Sequence, residues 1–328
     1  MKNDFYKAIL KRIASSILVL LLLVTFIFIL VRLAPGDPTQ KYLSPQLSPQ
    51  LAEKVTKSFG LDQPIQSQYF AFIANLFSGD FGVSYNYRQP VFTVVKDYFL
   101  FTLIFSTISF IIQLFLGYLF AKYSFRKQGK LIDRLYSKFS IILFSVPTFV
   151  IGLILVYVFS VKLDLLPTSG IKSIYHDDLN SFEKLKDYFV HLILPMVTLS
   201  LAGVAIFYKY LRDNFSSVEN SPFIINLRAS GVSEKDIFKK HLLPNSIQPL
   251  ISIAGIEFGI LLGGALLTEV IFSLPGMGRL TVSAILNRDF PLVIACSFIA
   301  GLMMILSNLV ADIIKIKMDK RFIKELIN

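Results

Sequence analysis

A single cysteine, Cys296, stands in the whole chain, so neither an internal disulfide nor a multi-cysteine metal site can form. The three histidines, His176, His191 and His241, are far apart and match no ligand spacing, and no metal site is expected. Charged residues are only 17% of the 328, against about 25% in an ordinary soluble domain. Glycine and proline together number 31, too few for a fibrous or low-complexity chain, and apolar residues are too many for a disordered one. What is abundant is apolar: 54% of residues, with a mean hydropathy of +0.63. The class left standing is a membrane protein.

Crossing the hydrocarbon takes about 20 apolar residues. Charge-free runs of that size cover Ile13–Val31, Tyr98–Ala121, Phe139–Val161 and Phe290–Ala311, with a shorter one at Leu192–Tyr208. Ser246–Thr268 is long enough and carries one charge, Glu257. The first run is too long for a signal-peptide core and no small-x-small site follows it, so it reads as a retained helix. The expected fold is an all-α polytopic bundle of six transmembrane helices. Its divisions are a first helix (13–31) plus a long outer loop, together 1–97, and a five-helix core, 98–328, holding an inner loop at 209–245.

Six spans put both termini on one side. The segments on that side, 1–12, 122–138, 209–245 and 312–328, hold 21 of the 33 basic residues and nine of the 22 acids, a net of +12 against −1 elsewhere. That asymmetry is the positive-inside pattern and predicts cytosolic N and C termini. It accounts for the net charge of +11 without nucleic acid. A polybasic role at anionic lipid fits the charge but is not needed to explain it.

The inner loop calls for a partner. Ser221-Pro222 reads as an N-cap with proline at the first helical position, and Gly231 as the C-cap of the run Phe223–Ser230. Ser233-Glu234-Lys235-Asp236 resembles a capping box opening a second short helix, which Pro244 should end. The first helix is apolar on more than one face, so it is expected to be buried. Two readings stand equally on the residues: it packs under its own bundle, or it inserts into another protein.

Gly231, nine residues, then His241-Leu242-Leu243-Pro244 resembles the cytoplasmic signature loop of bacterial ABC importer permeases. That family has Glu-Ala-Ala, three residues, Gly, nine residues, then an apolar residue, any residue and Leu-Pro. Here Ile225-Asn226-Leu227 replaces Glu-Ala-Ala, and His241 replaces the apolar residue. The likeness extends to the dipeptide/oligopeptide/nickel subfamily through Arg32-Leu33-Ala34-Pro35-Gly36-Asp37-Pro38, Gly60-Leu61-Asp62-Gln63-Pro64 and Gly79-Asp80-Phe81-Gly82-Val83-Ser84. It continues through Leu165–Gly170, His191–Pro195, Glu269–Gly278 and Asn287–Pro291.

The resemblance implies a type I ABC importer permease in the bacterial cytoplasmic membrane. It implies a second homologous permease (or a second copy), two ABC ATPase subunits and an extracytoplasmic binding protein as partners. The loop would dock on an ATPase through Phe223, Ile224, Leu227, Arg228, Ala229, Gly231, Leu243 and Pro244. ATP and Mg would be bound by the ATPases, with no cofactor in this chain. Short peptides are the first cargo expectation; nickel or a metal–chelator complex is the alternative. The residues agree on energy supply: no G-x-x-x-x-G-K-[ST] loop, Ser-His-Asp, Cys-His or paired-carboxylate arrangement is present, so an enzyme is not expected. An ion-coupled secondary transporter is the remote alternative; it would call for an internal repeat and midplane ion ligands, and one carboxylate with no repeat argues against it.

Inside the spans, Gly255, Gly259 and Gly263 share one helical face and invite close packing, within the subunit or against a second permease. Glu257 is a candidate to line the translocation path, the alternative being a structural glutamate. Gln113 and Glu269 are weaker path candidates: an interhelical hydrogen bond is the rival role for Gln113, and an ion pair with Arg279 or Arg288 for Glu269. Pro147 and Pro195 should interrupt spans three and four. Cys296 reads as a small packing residue.

Overall fold

In hydrocarbon, the peptide groups of an apolar run must bond within the run, so each run becomes a helix. A computed structural model of the chain describes residues 2–33, 63–319 and 322. The turn Pro35–Pro38 and the motif residues Gly60–Asp62 lie outside the described residues. Among those described, five helical stretches are long and apolar enough to cross a membrane. They are α1 (Lys2–Leu33), α3 (Val91–Arg126), α6 (Ser181–Glu219), the stretch Glu234–Ile271, and α11 (Phe290–Met318). The stretch Glu234–Ile271 contains α8 (Leu243–Leu262) and α9 (Leu266–Ile271).

The third expected span, Phe139–Val161, is not one straight helix. It is shared by α4 (Leu131–Ser145) and α5 (Thr148–Leu155, continuing in wider π-type turns over Val156–Lys162), which meet at 101°. Pro147 is the cause. It offers no N–H, and its ring holds Val146 in an extended conformation (φ −91°, ψ 124°). Counting the bent pair as one span gives six. Pro195 behaves differently: α6 runs through it without a stop, contrary to expectation. It is buried in a 39-residue helix packed along α3, and that packing holds both sides of the lost bond in line.

Within the expected outer loop stands a helix, α2 (Ile65–Phe77). It lies against α1, where Thr25 and Tyr69 share a hydroxyl hydrogen bond of 2.7 Å and Phe28 meets the rings of Tyr69 and Phe72. At the end of the fifth span, α9 packs on α10 (Met277–Leu286), which lies between the fifth and sixth. At 6 and 10 residues they are too short to stand out as periodic segments.

The long helices pair α3 with α6 and α8 with α11. At one pole, Ser124 Oγ donates to Asp133 (2.5 Å) and Arg212 grips the same carboxylate with Nε and a terminal nitrogen (both 3.1 Å). The segments 122–138 and 209–245 therefore share a pole. Arg12 meets Asp312 there at 2.6 Å, which brings α1 and α11 to the same end. The opposite pole is tied by Ser84 donating to buried Asp289 (2.5 Å) and by the Gly170 N–H donating to the Phe272 carbonyl (2.8 Å). Cys296 is buried in an apolar cluster there with Val91, Met277 and Leu292.

Candidate functional site

At the first pole the chain leaves α6, turns at Ser221 and forms α7 (Pro222–Ala229). Pro222 occupies the first turn, where its missing N–H costs nothing. The Ser221 hydroxyl does not cap α7; it turns back to donate to the Val218 carbonyl (2.5 Å). At the far end, Gly231 (φ +76°) donates to the Arg228 carbonyl (3.0 Å) and Val232 to the Leu227 carbonyl (3.1 Å). This is a Schellman closure, and only the left-handed conformation of Gly231 permits it. A Cβ at Gly231 would meet nothing within 4 Å, so the glycine answers a backbone need alone.

Ser233 then caps the next turn, Glu234–Asp236, accepting from the Asp236 N–H (3.2 Å). Pro244 does not end this helical stretch as expected. The turn widens to π-type over Ile237–Leu242, and the helical stretch continues through Pro244 into α8.

The two readings of the apolar loop helix both describe part of it. Ile224 is fully buried beneath α7 and Leu227 is half-buried. Phe223, Ile225 and Ala229 stand exposed on the outer side. Arg228 fixes the unit: its Nε and a terminal nitrogen reach Glu234 (2.7 and 3.2 Å), and that terminal nitrogen also reaches Glu219 (2.9 Å). Bonds to Glu234 first, and then Glu219, raise its pKa, so its charge is permanent. The clamp joins the end of α6, α7 and the start of the next stretch. Leu243 packs partly buried at the base, and Pro244 is exposed.

Within the spans, the glycine face of α8 is occupied by the chain's own α11. A Cβ at Gly255 would lie 2.5 Å from Ala311 Cβ, and at Gly259 2.6 Å from Met304 Sδ and 2.9 Å from Met304 Cα. At Gly263 the nearest atom is Ala300 Cβ, 3.3 Å away. That face is packed against α11 within the subunit. Glu257 lies two residues from Gly255, about 200° round the helix. It is half-buried, near exposed Ile256 and Ile260, and no hydrogen bond or ion pair reaches it from the described residues.

Gln113 and Glu269 are in the interior. Gln113 Nε2 donates to the Leu199 carbonyl (3.1 Å), joining α3 to α6, and its amide fills the space a Cβ at Gly203 would need. Glu269 has no accessible surface. It makes no side-chain ion pair with Arg279. It accepts from Thr102 Oγ1 (3.2 Å) and from the backbone N–H groups of Ala265 (3.2 Å) and Arg279 (3.0 Å). Sequence reasoning missed Thr102, Asp289 and the Asp133–Arg212 pair, because each is defined by a partner distant in the chain. It also missed Asp187, whose carboxylate meets Nδ1 of His176 (2.7 Å) and whose backbone carbonyl meets Nδ1 of His191 (2.8 Å). The i, i+4 spacing of Asp187 and His191 was the available signal.

Comparison with known proteins bears on what this arrangement serves. Residues 113–324 match the model of the family described as binding-protein-dependent transport system inner membrane component. Residues 5–106 match the N-terminal region described for such membrane components. The chain is 33% identical to a probable peptide ABC transporter permease of Sinorhizobium fredii, over 95% of this chain and 98% of that one. It is 33% identical to a dipeptide transport system permease of Lactococcus lactis subsp. cremoris, over 96% and 98%. It is 33% identical to a glutathione transport system permease of Escherichia coli, over 93% and 95%.

Proposed function

The chain belongs to the family of binding-protein-dependent transport system inner membrane components, and from that premise we propose that it is the permease through which an ATP-driven importer passes short peptides. It is a multi-pass, non-catalytic subunit of the inner membrane. Peptide cargo is favoured over nickel because the relatives above are named for peptide, dipeptide and glutathione transport, and glutathione is itself a short peptide.

The observation that carries the proposal is the two-sided helix α7. Ile224 and the Arg228 clamp fasten it to the subunit, while Phe223 and Ile225 stay uncovered. A helix held rigidly with an apolar outer face suits insertion into a partner's groove. We assign that partner as an ATPase pair carrying ATP and Mg, on the cytosolic side indicated by the basic loops. Closure of the pair would move the loop as a rigid body and re-orient the path between this permease and a second one. A binding protein would deliver cargo at the opposite pole. Glu257 supplies the path with a carboxylate suited to the cationic end of a peptide, since no group among the described residues engages it.

Co-purification of the tagged chain from its native membrane tests this. An ATPase pair and a second permease should accompany the wild type, and the ATPase should be lost from Phe223→Asp/Ile225→Asp. A chain that purifies alone and stays stable without an ATPase would overturn the assignment.

A further inference from the structure

Beside the loop, a cleft of about 550 Å³ opens between the C-terminal end of α3 and the turn Ile237–Leu242. Tyr118, Phe125 and Phe238 supply its apolar lining. Arg228, Glu219 and Glu234 border it, and there the two acids are taken up by Arg228. Four further cations line the cleft: Lys122 and Arg126 from α3, Lys235 and Lys239 from the other wall. None of the four has a carboxylate within ion-pair distance among the described residues. The nearby acid Asp236 is bound by Lys240 at 2.9 Å.

Lys122 is half-buried, its ammonium 5.4 Å from the Tyr118 ring centre and 5.8 Å from that of Phe238. Those ring faces hold the ammonium in place but leave its donors unbonded. Like charges gathered in a concave, partly apolar site raise the local potential and concentrate a counter-anion. The depth specifies its kind: Lys122 is the first charge after the apolar run of α3, so the cleft opens at the level of the lipid headgroups.

We propose that this cleft binds a phosphate-bearing anion at the membrane surface, with Lys122 and Lys239 donating to it from opposite walls. Two sources share that chemistry, an anionic lipid headgroup and a free phosphate compound. The site is separate from cargo and from the exposed face of α7, and an anion there would bridge α3 to the base of the loop.

The test is binding to the purified full chain in neutral detergent, with short-chain phosphatidylglycerol and inorganic pyrophosphate as probes and short-chain phosphatidylcholine as the uncharged comparison. Saturable binding of either anionic probe, weakened about tenfold or more by Lys122→Ala and by Lys239→Ala and kept by Lys122→Arg, is expected. The probe that binds names the source. An unchanged elution profile for each variant keeps the comparison free of misfolding. No saturable binding of either probe, or binding indifferent to both alanine substitutions, overturns the proposal. So does absent anion binding combined with loss of ATPase capture in the variants, which would make the cleft a protein-docking surface. Because the readout is anion binding, it stands or falls apart from the importer assignment.

Discussion

Arg279 reaches Glu269 through its backbone, not its guanidinium. The peptide N–H donates to Glu269 Oε2 at 3.0 Å, while the guanidinium turns away to the Ser273 carbonyl at 2.6 Å. Glu269 is thus the organising acceptor of the α9–α10 turn, and its identity matters more than its neighbour's charge. Glu269→Ala should destabilise the fold by about 3 kcal/mol or more, because buried N–H groups lose their acceptor. Arg279→Ala should cost under about 1 kcal/mol, since the backbone donor survives. Thermal unfolding of both variants in one detergent checks the ordering; equal losses would restore the side-chain ion pair.

Gly276 and Gly278 pack closely against the same carboxyl group. A Cβ at Gly276 would lie 2.3 Å from Glu269 Cδ, and at Gly278 2.7 Å from the Leu266 backbone. Gly278→Ala is expected to be the worse of the two, because backbone cannot move aside as a side chain can. Expression level and detergent stability of the two single variants would show it.

Along α8, sensitivity should follow the approach of α11. Gly259→Ala, which meets backbone at 2.9 Å, should destabilise by about 1–3 kcal/mol, and Gly263→Ala, with its nearest contact at 3.3 Å, by less. A reversed order in unfolding measurements would count against this packing.

Gly231→Ala places a side chain in the left-handed region, for about 1–2 kcal/mol, with no steric clash. Gly231→Asn should recover much of the loss, because asparagine tolerates that conformation. ATPase capture by the two variants, read beside their stability, separates loop geometry from overall folding.

Glu257→Gln is expected to leave assembly and stability intact and to alter transport. Uptake of peptides with a free N-terminal amine should fall relative to N-acetylated ones. Identical uptake of both sets by wild type and variant would remove Glu257 from the path.

Five of the expected spans, their rough limits and the gathering of basic segments at one pole were legible because they depend on composition summed over about 20 residues. The loop was legible for a related reason: Pro222, Gly231 and Ser233 act on their immediate backbone, and the structure keeps each in a turn. Prolines were legible only in part. Pro147 bends its span by 101°, but Pro195 and Pro244 leave helical structure intact, the first held by packing and the second by a widened turn.

Sequence alone thus determined that this chain is a membrane-spanning helical protein with a structured loop among its basic segments, since hydropathy and local backbone chemistry act within a few turns. Tertiary structure decided which face of each helix is free. It gave the glycines of α8 to α11, enclosed Glu269 among backbone donors, split α7 into a buried Ile224 and exposed Phe223 and Ile225, and left Glu257 without a partner among the described residues. Those outcomes turn on contacts between segments far apart in the chain, where a difference of one residue in helical register decides whether a side chain is covered or open.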